Sequence, residues 1–367
     1  MPWLHVFLLF ALPLLGAGGK PIELHVVPVP IKSYRLLAMS MDDDGSVWAG
    51  SIHRVLHRYD PRTGSVETIK LPYDAVVCSC ICAGEKVYIT GQAYPKLMVY
   101  DRVRKTFKEV AYPSPKPDVW YGTDLLDGRH LFLFDRQSVG VIRWDTKEEK
   151  GEVVPWPYPT PVPIGGRYEP RDKAVWCSVY DLAGGQYVPL GLARLDVATL
   201  KFNGYYPYPK DDAGLTAYED PGSTFFVPIT LKGKLVPFDF RKLRWCKFLD
   251  VPEYGRRFGF IGGAAVHDGK WYFSISTYNG TDVGCDGKPY HFCNGLLEFD
   301  PAARTFAFPT LEAKDGYYQV AYTLSAGGRF FATGTNIREP DGTLNGARAG
   351  EVVFWQTGAP QARVENP

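Results

Sequence analysis

Absences narrow the reading of this chain before any motif does. Across 367 residues there is no long segment of 3.6-residue periodicity, no charge block, no low-complexity run and no linker-like stretch. An α-helical architecture or a string of tethered domains is therefore not expected. Lysine plus arginine number 41 against 40 aspartate plus glutamate, a net charge of +1, so no broad electrostatic pull toward nucleic acid is expected. Apart from the N-terminus, no apolar run is long enough for a membrane helix. Histidines number only seven, and no Ser-His-Asp spacing, nucleotide loop or zinc-protease motif is present.

What the chain has in quantity is aromatic residues (14%), with 38 glycines and 30 prolines. Aromatic and β-branched side chains suit pleated, half-buried surfaces, while glycine and proline punctuate turns. They recur as one phrase: an apolar strand, a second strand ending in an acidic residue, a turn, and a short strand running into proline. The clearest copy is Val47-Trp48-Ala49-Gly50-Ser51, then Val55 to Asp60-Pro61, then Val66 to Pro72. The second is Val87 to Gly91, Leu97 to Asp101, and Phe107 to Pro113.

Further copies centre on Leu131–Asp135, Ala174–Ser178, Phe225–Pro228, Trp271–Ile275 and Phe330–Gly334, making seven units. A period of about 40 residues with four strands per unit predicts a β-propeller. The seventh copy lacks a clear outer strand. Ile22 to Pro30 reads like the outer strands elsewhere and is expected to complete it, closing the ring. The expected fold is all-β, a seven-bladed propeller of four-stranded antiparallel blades spanning 22–356, with a tail at 357–367. Asp60, Asp101, Asp145, Asp196, Asp239 and Asp300 recur at the end of each third strand. Their periodicity marks them as turn-formers rather than catalytic carboxylates.

Residues 1–17 read as a secretory signal, with an apolar run from Leu4 to Leu15 and small residues after it. The n-region has no Lys or Arg. The expectation is a secreted or periplasmic monomer with no membrane or nucleic-acid partner. Of seven cysteines, Cys285 and Cys293 share a polar, Gly-rich loop and are expected to pair as a disulfide. A metal site using both with His291 is the alternative, although no fourth ligand is evident. Cys78, Cys80 and Cys82 alternate on one strand and are expected to face one side as buried small residues. Cys177 and Cys246 read as packing. Asn279-Gly280-Thr281 fits a glycosylation acceptor in a eukaryotic secretory pathway.

Function on a propeller belongs to its loops. With strands a to d counted from the axis, the b–c loops and d–a connections emerge on one face. There the sequence places His53, Tyr94, Asp135-Arg136-Gln137, Tyr278, Asn336 and Arg338, with Tyr73, Trp120-Tyr121, Arg257, Tyr318 and Gln319. Flat aromatic faces with fixed donors suit a sugar, and arginines suit a carboxylate or sulfate. An acidic saccharide is the expected partner. Ordinary surface tyrosine and arginine enrichment would look similar. His53 is a candidate general base or acid, or a hydrogen-bonded loop histidine.

The units Asp43 to Gly50 and Tyr59 to Gly64 resemble those of secreted seven-bladed propellers of the streptogramin-lyase and sugar-lyase type. The resemblance covers the repeat grammar of most of residues 22–356. Streptogramin lyases carry a His/Glu/His constellation in late blades, where this chain offers Tyr278, His291 and Tyr318 instead. Propeller polysaccharide lyases eliminate across a uronic acid, with Tyr or His as base and acid and Arg, Asn, Gln or a metal on the carboxylate. That resemblance implies His53, Tyr278 and Tyr318 as catalytic candidates. Tyr94, Tyr121, Arg257, Gln319, Asn336 and Arg338 are the substrate-binding candidates. No cofactor is specified, and a structural or catalytic divalent metal stays open. The leading expectation is a lyase cleaving uronic-acid saccharide by β-elimination. The alternatives are a non-catalytic saccharide- or protein-binding propeller, or a glycoside hydrolase, for which Asp135, Asp181, Glu253 and Asp315 are the carboxylates on that face.

Overall fold

The computed structural model describes the chain apart from residues 1–23, 30–35, 43, 52–53, 61, 93, 124, 138–139, 159–161, 182–187, 230–233, 252–257, 268, 278–292, 314–316, 322–329, 338–351 and 358–367. Among the described residues there is no α-helix, and the strands form seven antiparallel sheets. No helix is long and apolar enough to cross a membrane.

Sheet one runs, from inner to outer strand, Leu36–Met41, Val47–Ser51, Val55–Asp60 and Ser65–Lys70. Sheet two is Val76–Ala83, Lys86–Gln92, Lys96–Asp101 and Thr106–Ala111. Sheet three is Val119–Gly122, His130–Asp135, Gly140–Asp145 and Lys150–Pro155, and sheet four Val162–Glu169, Ala174–Asp181, Val188–Asp196 and Lys201–Pro207. Sheet six is Phe258–His267, Lys270–Thr277, Cys293–Asp300 and Thr305–Ala313. In sheet seven, Tyr317–Ala321, Phe330–Ile337 and Val352–Thr357 are joined by Leu24–Val29, whose Val26 lies opposite Trp355. The N-terminal strand thus supplies the missing outer place, as the repeat count predicts.

Sheet five departs from the four-stranded plan. Its third strand, Lys234–Asp239, pairs with Thr224–Ile229 on one side and with two short pieces, Arg244–Trp245 and Leu249–Asp250, on the other. Between Pro207 and Thr224 the chain forms only a 3₁₀ turn at Pro221–Ser223, so no strand occupies the inner place there. Instead the Thr216 carbonyl accepts from Lys247 N–H in the gap between the two outer pieces. The Tyr218 hydroxyl donates to the Pro301 carbonyl at 2.6 Å.

The recurrent aspartates explain the shared turn. Each accepts backbone N–H groups two or three residues on: Arg62 to Asp60, Val103 and Arg104 to Asp101, Lys147 and Glu148 to Asp145. The same holds for Ala198 and Thr199 to Asp196, Arg241 and Lys242 to Asp239, and Ala302 and Ala303 to Asp300. Four residues beyond each aspartate the backbone turns left-handed, at Gly64, Lys105, Glu149, Leu200, Leu243 and Arg304. Only one of these is glycine, so the side-chain cap holds a conformation that costs a non-glycine residue about 1 kcal/mol.

By contact clustering the chain divides into two compact units, the first mainly Leu37–Arg58 with Thr68–Lys210 and the second mainly Asp211–Pro367. In the first, the core lies between successive sheets. Trp48, Leu56, Val77, Cys80, Ile89 and Tyr100 form one cluster; Ile81, Tyr88, Val99, Leu131 and Trp144 form the next. Fully burying side chains of this size contributes about 2–3 kcal/mol each. The approach is close: a Cβ on Gly50 would sit 2.1 Å from a Val77 methyl carbon, so the position admits only glycine without movement. In the second, Phe226 packs edge-on against Trp271 and Phe299.

Three inner strands carry a bulge at the same ladder position. Pairing slips between Val77 and Ser79, Val119 and Tyr121, and Pro163 and Gly165. The extra residues are Cys78, Trp120 and Ile164. One consequence corrects the sequence reading of the cysteines. Cys80 and Cys82 pack with Trp48, but Cys78 sits on the bulge, where its thiol lies near the Tyr112 phenol in the neighbouring cluster. An inserted residue reverses the alternation on which a common face depended.

Candidate functional site

The b–c loops and d–a connections of the first unit bring together three groups of residues. The first lies where sheet one leads into sheet two. Tyr73 follows the outer strand of sheet one, and Tyr94 follows the second strand of sheet two, its N–H donating to the Gly91 carbonyl at 3.2 Å. Their ring centroids are 5.7 Å apart with a 36° tilt, and Phe107 meets Tyr73 edge-on at 6.4 Å. The Tyr94 hydroxyl donates to the Glu109 carboxylate, to which Lys96 also donates at 3.2 Å. Exposed Arg54 pairs with Asp74 at 2.5 Å beside them.

The second group is built on the bulge of sheet three. Asp135 ends the second strand and is 1% exposed. Its Oδ1 accepts from the N–H groups of Asp118, at 3.0 Å, and Gln137, at 3.1 Å. This clamps the d–a connection to the b–c loop. Arg136 N–H in turn donates to the Asp118 carbonyl at 3.1 Å. Trp120 Nε1 donates to Asp118 Oδ1 at 2.6 Å, and the Arg136 guanidinium stacks 3.9 Å over the Trp120 ring. Such a stack contributes about 0.5–2 kcal/mol and holds the guanidinium plane. Tyr121, half-buried, stands edge-on to Trp120 at 6.1 Å and packs on Val162, Ile164 and Tyr180. Thr90 Oγ1 donates to the Trp120 carbonyl at 2.5 Å.

The third group lies where sheet three leads into sheet four. Trp156 and Tyr158 follow the outer strand of sheet three. Trp156 meets Tyr158 at 5.0 Å and Phe202 at 4.7 Å, and Tyr158 meets Tyr205 at 6.0 Å with a 48° tilt. Like Tyr73 two sheets earlier, Tyr158 follows an outer strand and meets a tyrosine of the next sheet. It was missed in the sequence, although the Pro-aromatic phrases Pro72-Tyr73 and Pro157-Tyr158 mark both.

The electrostatics assign the phenols a role. Burial pushes Tyr73, Tyr112, Tyr180 and Tyr208 above the ordinary tyrosine value. Burial does the same for Tyr94, reinforced by the Glu109 carboxylate beside it. These hydroxyls stay protonated at neutral pH; Tyr94 donates to Glu109, while the Tyr112 hydroxyl is buried with no hydrogen-bond partner among the described residues. Asp135 is likewise removed from the carboxylates available for hydrolysis, because its oxygen holds two backbone N–H groups in a buried setting. Among the described residues no cluster of His, Cys, Asp and Glu is arranged to hold a metal ion. Cys78, Cys80, Cys82, Cys177 and Cys246 remain thiols. Burial pushes Cys80 up to about 12 and raises Cys177 and Cys246, which makes these three inert.

Of the residues singled out in the sequence, Tyr94 lies in its b–c loop, while Tyr121, expected in a d–a connection, lies on the inner strand Val119–Gly122. His53, Tyr278, Arg257, Arg338, Glu253, Asp315, Cys285 and His291 lie outside the described residues. Tyr318 and Asn336 stand directly opposite each other on the inner and second strands of sheet seven, with Gln319 opposite Thr335. The side chains of these residues and of Cys293 are outside the description. His57 is buried, with Nδ1 3.0 Å from Thr68 Oγ1.

No protein-family model and no curated protein matches the sequence. Solved structures do. A virginiamycin B lyase from Staphylococcus aureus superposes with a TM-score of 0.63 at 12% identity, covering 92% of this chain and all of that one. A streptogramin B lyase structure gives 0.63 at 13% identity over 91% of this chain and 98% of that one. A catalytically inactive variant of the Staphylococcus aureus enzyme with quinupristin gives 0.61 at 11% identity. At such identities the likeness shows the fold alone, and the fold of this chain is a β-propeller of seven sheets.

Proposed function

We propose that this propeller binds an acidic saccharide on the face formed by its b–c loops and d–a connections, and cleaves it by β-elimination. The observation that carries the binding half is the Arg136–Trp120–Tyr121 array. The Arg136 guanidinium, over the buried Trp120 ring and paired with Asp118 at 3.5 Å, keeps part of its surface exposed beside the half-buried Tyr121, which supplies a cation and a sugar-stacking ring within one clamped loop pair. The chemical half rests on residue types. Elimination needs a base for the proton beside the uronic carboxylate, a donor for the leaving oxygen, and a cation or donor on the developing charge. The half-buried Tyr73 phenol, held protonated, suits the donor role. His53, Tyr278 and Tyr318 are the candidates for base, and Arg257 or Arg338 for stabilising charge.

A second reading is favoured by one observation. Every phenol with a shifted value on the described face is held in its protonated form, which supports binding without turnover. A panel of acidic polysaccharides, read by the ultraviolet absorbance of unsaturated uronides and by thermal shift, separates the two. Absorbance that rises with one substrate establishes elimination. Thermal shift without absorbance leaves the binding propeller. Neither signal with any acidic saccharide sinks both.

A further inference from the structure

We infer that the ligand of this face is an extended polysaccharide, held at two outlying tyrosine pairs as well as at the Arg136–Tyr121 centre. This rests on the saccharide reading above and deepens it. Tyr73–Tyr94 and Tyr158–Tyr205 are two tyrosine pairs of similar spacing, with Tyr94 in a b–c loop and Tyr205 on an outer strand. In each, a tyrosine just after an outer strand meets a tyrosine of the next sheet at 5.7 or 6.0 Å, tilted by 36° or 48°. Phe107 meets Tyr73 of the first pair, and Phe202 meets Trp156, which in turn meets Tyr158 of the second. All four tyrosines are half-buried, so ring surface stays open to solvent.

The pairs lie before and after sheet three, whose b–c loop carries Arg136 and whose inner strand carries Tyr121. All three places belong to the same end of the sheets, because each pair is set by the end of an outer strand that also feeds a d–a connection. Tilted rings at this spacing leave no slot for a sugar between them. They form a shelf that takes one apolar pyranose face from above, and sequence-tolerant stacking on repeated shelves suits a repeating polymer. A short oligosaccharide needs only the centre.

The test compares a tetrasaccharide with a long chain of the same acidic polysaccharide by calorimetry, using wild type and Tyr158→Ser/Tyr205→Ser. Wild type is expected to bind the polymer more tightly per site. The double variant is expected to lose about tenfold for the polymer with the tetrasaccharide unchanged. Equal polymer affinity in wild type and the folded variant overturns the inference while leaving the saccharide reading intact. Failure of saccharides of every length removes the saccharide reading, and this inference with it. Should the variant not fold, tyrosine nitration of the unaltered protein decides. Protection of Tyr158 and Tyr205 by polymer but not by tetrasaccharide supports the inference, and equal labelling overturns it. Protection by a proline-rich peptide instead also overturns it.

Discussion

The two ends of the sheets in the first unit are built from different materials. At the end carrying the a–b and c–d turns, neighbouring sheets are bolted by charge. Arg102 of sheet two pairs with Asp42 of sheet one, which also accepts from Trp48 Nε1. Lys86, at 2.7 Å, and Lys108 of sheet two share Glu149 of sheet three, and the Tyr88 hydroxyl reaches the Thr146 carbonyl at 3.1 Å. At the opposite end the contacts are aromatic, and the polar groups are mostly clamped within one loop pair. The lesson is a division of labour. One end spends its charges on holding sheets together, while the other carries half-buried tyrosine rings beside a partly exposed Arg136 that is itself paired with Asp118.

That contrast can be broken most forcefully at Asp42. It is buried, and burial already pulls the Arg102 guanidinium below its ordinary value. Asp42→Ala leaves that cation unpaired and is expected to cost about 3 kcal/mol in urea unfolding, with saccharide binding of the folded protein unchanged. A loss below ~1 kcal/mol would show that the charged end is not the structural one.

Next is the buried His57, whose value burial lowers to about 4. The folded value lies below the unfolded one of about 6.5, so the folded state takes up the proton less readily. Its contribution is complete above pH ~6.5 and erodes as pH falls toward ~4, amounting to about 2 kcal/mol by pH ~5. Wild type should lose that much more stability than His57→Gln between neutral pH and pH ~5. Parallel losses in the two proteins would assign the acid sensitivity elsewhere.

Asp239→Ala removes an acceptor from two backbone N–H groups in a site 1% exposed and is expected to cost about 1.5 kcal/mol in thermal or urea unfolding. At the aromatic end, Arg136→Ala is expected to weaken acidic-saccharide binding about tenfold, near 1.4 kcal/mol, and to lessen its dependence on the sugar carboxylate. Identical affinity for an acidic saccharide and its neutral counterpart in wild type would remove Arg136 from that role. The smallest effect is a gain. Leu243, exposed with a φ of 55°, sits in the left-handed region, and Leu243→Gly should raise stability by about 0.5 kcal/mol.

Much of the fold was legible because a repeat speaks several times. The aspartate caps were readable as turn-formers from their period, and the place of Leu24–Val29 followed from a missing outer strand. Tyr94 was legible as a loop residue because loop position follows from strand order, whereas Tyr121, read as part of a connection, falls on the inner strand Val119–Gly122. The clamp by Asp135 was not legible. Its side chain resembles any loop carboxylate until two backbone N–H groups, one from a different connection, converge on it. Nor was the Tyr158–Tyr205 shelf, whose members are 47 residues apart and meet only when consecutive sheets pack.

By itself the sequence determined the strand phrases, their count and their turns. These depend on alternation, glycine and aspartate, which act over a few residues. Tertiary structure decided the rest. Bulges at three inner strands re-aim Cys78 and Trp120, because one inserted residue reverses the side-chain alternation and no local signal marks it. The run from Pro207 to Thr224 forms no inner strand in sheet five; its Thr216 meets Lys247 between the outer pieces, and its Tyr218 packs on Phe226 of the same sheet while donating to the Pro301 carbonyl after the third strand of the next. Whether a phenol donates or accepts a proton was also settled only there, since burial and a neighbouring carboxylate set it, and both are products of packing.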